Sequence, residues 1–146
     1  MKIAIPLHRQ LTLYHYNPCT APKFAIYQIE GDSSRIVYRL EVIVDNPWSA
    51  VKGDDFGEDQ VTACCDVDRR SNIRHISEHY ALLDAIGGCR YLLADLCCDN
   101  LQRALGKGGI EVFKIPPIVN KIDNAIKNFL IGASLASTVE HIHHAS

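Results

Sequence analysis

The stretch LLADLCCDNLQRALGKGGIEVFKI, residues 92–115, decides the fold. Leu92 to Leu96 reads as a short buried strand. Asp99 with Gln102 reads as a helix start, a capping carboxylate followed three residues later by an amide. The helix covers 99–105 and stops at Gly106, Gly108 and Gly109. Ile110–Ile115 is then a second strand, broken by Pro116-Pro117. A strand, a helix and a strand at this spacing form a crossover unit, which sets the two strands parallel. Two adjacent thiols, Cys97 and Cys98, stand where the first strand becomes the helix.

Working outward, KIAIP at 2–6 is a strand, followed by a polar loop with Asn17-Pro18. Residues 23–47 read as a hairpin. Phe24, Ile26 and Ile29 mark its first arm, Gly31–Ser34 its turn, and the alternating Ile36, Tyr38, Leu40, Val42 and Val44 a half-buried second arm. Residues 46–70 have no clear periodicity, and a loop of that length in a compact domain is usually functional or disordered. Ser71 caps a helix with Ile73, Ile76, Tyr80 and Leu83 at helical spacing, ended by Gly87-Gly88. A last helix starts near Asn120 with Ile122, Ile126, Phe129 and Leu130 on one face. The order β-β-β-α-β-α-β-α predicts an α/β domain over residues 1–132, a five-stranded mixed sheet with helices on both faces. Residues 133–146 would form a mobile tail that includes His141, His143 and His144. Such sheets bind ligands at the carboxyl ends of their strands, where the winding reverses. That point falls between strand 1 and strand 89–96, whose exits are Pro6–Tyr16 and Leu96–Asp99.

The bulk numbers remove several function classes. At 146 residues the chain can bury one core of its own. A net charge of −2 with no basic tract gives no basis for nucleic-acid binding. No apolar run approaches the roughly 18 residues that a membrane span needs. MKIAIPLH, soon broken by proline, does not read as an export signal, so a cytoplasmic protein is expected. There, six cysteines are better read as reduced or metal-bound thiols than as a disulfide scaffold. No phosphate-binding loop or dinucleotide turn occurs. Strand 1 also lacks the carboxylates with which a two-metal nuclease would hold its ions. The expectation is a binding protein and not an enzyme.

Three stretches, MKIAIP, HYNPCTAPKFAIYQIE and LLDAIGGCRYLLADLCCDNLQRALGKGGIEVFKI, taken in order over residues 1–132, resemble the dinitrogenase iron–molybdenum cofactor biosynthesis family, which includes NifX, NafY and the C-terminal domain of NifB. The resemblance implies a ribonuclease-H-like fold without nuclease chemistry and a role in carrying iron–sulfur or molybdenum-containing clusters. It places the family histidine on His15. Tyr16-Asn17 departs from the family's Phe-Gly, and Cys97-Cys98 stands where many members have a glycine-rich turn.

The thiols carry the chemistry. At a helix N-terminus the unpaired N–H groups and the dipole favour anions, and thiolate is the form that binds metal. Cys97 and Cys98 fit that role, against the plainer reading of two small apolar side chains filling a junction. Cys64 and Cys65 lie in the polar loop, where no apolar pattern explains them. Together the four thiols suit an iron–sulfur cluster, zinc or copper(I), and adjacent cysteines fit a multi-metal cluster more easily than one ion. Cys19, after Pro18 and near His15, can reach the same mouth, whereas Cys89 starts its strand at the opposite end and reads as core. His75 and His79, four apart on one helix face, are reserve ligands, although a solvated face is the commoner meaning of such a pair. Asp54, Asp55, Glu58 and Asp59 could hold a hard cation or simply line a solvated loop.

The expected function is to bind and carry an iron–sulfur or iron/molybdenum–sulfur cluster in cofactor assembly or storage. Cys97, Cys98, Cys64, Cys65 and Cys19 would surround the cluster, with His15 positioning or ligating it. Other cofactor-assembly proteins would be its partners, and a cluster shared across a homodimer suits vicinal cysteines equally well. The alternatives are a thiol redox or metal-sensing regulator and a plain interaction domain.

Overall fold

A computed structural model of the chain describes residues 1–32, 35–47 and 73–145. Five strands form one mixed sheet: β1 (Lys2–Leu7), β2 (Lys23–Asp32), β3 (Arg35–Asp45), β4 (Tyr91–Ala94) and β5 (Glu111–Lys114). Their spatial order is β3-β2-β1-β4-β5. β1 runs antiparallel to β2, with Ala4 opposite Ile26, and parallel to β4, with Ala4 opposite Leu92. β4 and β5 are parallel across the crossover helix. The winding therefore reverses between β1 and β4, as the element order predicts.

Helices cover both faces. On one face, α1 (Ile73–Tyr80), α2 (Leu82–Ile86) and α3 (Asp99–Lys107) bury Leu82, Ile86, Leu101 and Leu105 against Ala4, Phe24, Ile26 and Leu92. On the other face, α4 (Ile122–Ala145) lays Ala125, Ile126 and Phe129 over Ile3, Ile5, Leu7 and Leu93. β1 alternates between these cores, so its apolar run KIAIPL is what a strand covered on both faces requires. The Phe129 ring meets Phe113 edge-on, with centroids 5.1 Å apart. Gly132 lies so close to Phe113 that an added Cβ would approach the ring to 2.6 Å, so the absent side chain sets the height of α4 over the sheet. No helix among the described residues is long and apolar enough to cross a membrane.

Three local expectations change. The helix expected to run on to Ile86 is interrupted at Ala81, where i→i+3 bonds (Ala81 N–H to Glu78 O, Asp84 N–H to Ala81 O) replace the α-helical ladder; Ser71, its expected cap, lies outside the described residues. The buried stripe runs through His79, Leu82 and Ile86, at helical spacings of three and four, and leaves Ile73 and Tyr80 exposed. β3 is not a uniformly half-buried strand. A register shift pairs Leu40 with Tyr27 and Val42 with Ile26, and Ile36, Leu40 and Val42 stay 45–48 % exposed. The cap of α3 is Cys98 and not Asp99, which moves the second vicinal thiol to the helix mouth.

Candidate metal centre

Three side chains meet on the face covered by α1 to α3, close to the carboxyl ends of β1 and β4. Each comes from a separate segment. Cys19 lies in a 3₁₀ turn (Pro18–Thr20) in the loop that returns from β1. His79 is in the last turn of α1, and Cys98 caps α3. Their donor atoms all lie within 4.8 Å of one another, and Cys98 Sγ is 3.4 Å from His79 Nε2. Cys19 and His79 have no exposed surface, while Cys98 is half-buried.

The turn that holds Cys19 is fastened from several sides. The Asn17 side chain accepts from the Cys19 N–H at 3.4 Å, and Thr20 Oγ1 donates to Asn17 O at 2.7 Å. Tyr14 OH and Thr20 Oγ1 are 2.6 Å apart. Asn46, fully buried just after β3, donates both amide hydrogens, to Cys19 O at 2.9 Å and Ala21 O at 2.7 Å. Asn46 thereby clamps the Cys19 backbone in place, as outer groups commonly orient metal-binding side chains.

The donor set suits one soft ion. With bonds of about 2.3 Å to sulfur and about 2.0 Å to nitrogen, two ligand atoms on the same ion stand roughly 3.5–4 Å apart. The observed spacings need only a small contraction to reach that. Two thiolates and an imidazole are a donor set for zinc or copper(I). Cys98, half-buried at the cap of α3, supplies the open side.

The other expected ligands fall as follows. Cys97 stands outside the triad. Its Sγ contacts Cys98 O at 3.7 Å, and it lines a groove of ≈ 230 Å³ with Asp95, Gln102 and Lys114. His15 is not in the triad either. Its Nδ1 meets Asp95 Oδ2 at 3.2 Å, which ties the loop after β1 to the end of β4. The other ring nitrogen, Nε2, is buried and has no hydrogen-bond partner among the described residues. Cys64 and Cys65 lie outside the described residues, as do the acidic residues 54–59 and the side chains of His75, His141, His143 and His144. Cys89 is core, as expected, and burial pushes its thiol up to about 11.

His79 is the largest departure in this set. As one of an i,i+4 pair it suggests a solvated face, but it lies three and seven residues before Leu82 and Ile86, on the face that is buried. Two further residues at the mouth escaped the sequence reading. Asp95 directly follows β4 and engages His15. His8 directly follows β1 and stacks 4.8 Å from Tyr14. Burial, with a lesser effect from nearby His15, lowers its pKa below the ordinary 6.5. Their signal was position alone, since both leave the strands that meet at the reversal.

No protein-family model and no curated protein matches the chain. Among solved structures, the crystal structure of PH0822 is similar at 18% identity with a TM-score of 0.52, over 90% of this chain and 92% of that one. That likeness shows a shared fold. An NMR structure of a NifB-like protein from Thermotoga (TM1290), described as belonging to the DUF35 family, aligns at 17% identity with a TM-score of 0.47, over 90% of this chain and 88% of that one.

Proposed function

We propose that this chain binds a thiophilic metal where the sheet reverses and hands it on in the assembly of a metal–sulfur cofactor. The observation that carries the reading is the convergence of Cys19, His79 and Cys98 from three distant segments within 4.8 Å. The resemblance of residues 1–132 to the iron–molybdenum cofactor biosynthesis family supplies the setting. A mixed sheet with helices on both faces supports its ribonuclease-H-like fold, and the apolar β1 supports the absence of nuclease chemistry. In this reading the triad holds a single ion. A larger iron–sulfur or molybdenum-containing unit would dock at the open side, on Cys97 and Cys98, with His15 presented by Asp95 and with Cys64 and Cys65 as further thiolates. Its partners would be other cofactor-assembly proteins.

The test is metal and acid-labile sulfide analysis, with a visible spectrum, on protein purified without oxygen. One equivalent of metal is expected, lost in Cys19→Ser, His79→Ala and Cys98→Ser. Sulfide in excess of that equivalent would locate a cluster at the mouth. Protein that takes up no metal, even after reconstitution with iron and sulfide or with zinc, would sink the reading. The closeness of the Cys19 and Cys98 sulfurs also favours a second reading, a thiol switch. It expects metal-free protein whose thiol count falls by two on oxidation.

A further inference from the structure

Access to the triad is one-sided. Cys19 and His79 are fully enclosed, so among the described residues the ion's approach is from Cys98. The residue before Cys98 is another half-buried cysteine, which packs against the edge of the same core and also lines a groove. Cys97 lines that ≈ 230 Å³ hollow at the carboxyl ends of β4 and β5, with Asp95, Gln102 and Lys114. Soft ions travel between proteins as thiolate complexes, which carry negative charge, and the Lys114 ammonium gives the groove a cation to receive one.

We propose that Cys97 is the transfer ligand of the site, the thiol through which a soft metal ion passes between a thiolate donor or acceptor in the groove and the buried triad. The inference rests on the metal-binding reading above and goes beyond it by assigning a route. A three-coordinate ion has an open position, so exchange proceeds by addition of an incoming thiolate before an outgoing one leaves. Cys97 adds to the ion held by the donor, Cys98 follows from the next residue as the donor's thiolates depart, and Cys19 and His79 then complete the set as Cys97 lets go and takes back a proton. Each cysteine that ligates gives up one proton to solvent, and each departing thiolate takes one back. No electrons move, and the ion keeps its charge. Unloading is the same sequence reversed. Neighbouring residues are poorly suited to bind one ion together at rest, and that strain is useful in a ligand that must let go.

The test uses the full chain, loaded with zinc under reducing conditions and mixed by stopped flow with excess chromophoric chelator. Wild type, Cys97→Ser, Cys97→Ala and Cys98→Ser are compared, with circular dichroism confirming the fold of each. Both Cys97 variants should retain one zinc with affinity within about threefold of wild type, while transfer to the chelator slows more than fivefold. Cys98→Ser should lose the bound zinc. Transfer within fivefold of wild type would overturn the route and leave the site standing. Loss of zinc in the Cys97 variants, as in Cys98→Ser, would also overturn it by making Cys97 a resident ligand. Wild-type protein that holds no zinc would overturn the route together with the metal-binding reading beneath it.

Discussion

Replacing Asn46 with alanine tests whether the Cys19 turn is as tightly built as its hydrogen bonds imply. The side chain is fully buried and spends both amide hydrogens on main-chain oxygens, at 2.9 Å to Cys19 and 2.7 Å to Ala21. Asn46→Ala leaves two buried carbonyls without those donors and opens a small void. An unsatisfied buried polar group costs about 1–3 kcal/mol, so the pair should cost about 2–4 kcal/mol once the turn has relaxed. In a chain of this size that corresponds to a fall of roughly 6–15 °C in melting temperature. The assay is urea unfolding of the metal-free protein, with an unchanged slope against denaturant showing that only stability has moved. Metal affinity should also drop, by about ten- to a hundredfold, because the clamp orients the ligand turn. A loss below about 1 kcal/mol, less than one unsatisfied carbonyl costs, would refute the clamp.

Three further outcomes follow from features elsewhere. The Cys89 thiol, pushed up to about 11, should be alkylated at pH 8 roughly a hundredfold more slowly than an ordinary cysteine, as read by mass spectrometry on folded protein. His8 should titrate below 6.5 by NMR. Because the unfolded chain then binds the proton more readily, stability is complete above 6.5 and falls as the pH drops toward the folded value. His15→Asn should raise the His8 midpoint only partway, since burial is the larger cause. Gly132→Ala should destabilise the protein by about 1 kcal/mol in urea titrations, because crowding of Phe113 outweighs alanine's better helix propensity. A gain in stability would show that the ring swings aside.

The parts of the fold legible in the sequence were those punctuated locally. The crossover of β4, α3 and β5 follows from a capped helix between two glycine- and proline-bounded apolar runs, and its parallel pairing is observed. The reversal between β1 and β4 follows from that order, and it placed the mouth near Cys98. Features that depend on one distant contact were not legible. His79 is an exception: paired with His75 it reads as solvated, although its spacing of three and seven residues from Leu82 and Ile86 was a signal for the buried face. The exposed apolar residues of β3 alternate as a buried strand should, and only the register shift against β2 shows that the alternation changes faces. Cys19 was a candidate for the mouth, but its closeness to His79 depends on how the loop after β1 folds back. Asn46, the residue that settles this, comes from the end of the hairpin.

The three ligands also lie far apart along the chain, at positions 19, 79 and 98. An ion bound to all of them would be a reversible crosslink that closes two loops in one step, fastening the loop after β1 to α1 and to the crossover unit. Closing a loop of tens of residues removes about 3–4.5 kcal/mol of freedom from the unfolded chain, on the chain-entropy account of crosslinks. Cargo would then act as a fastener. A loaded protein would resist unfolding, and an emptied one would be more exposed to proteolysis. On the proposed function, lifetime alone would then distinguish the two forms.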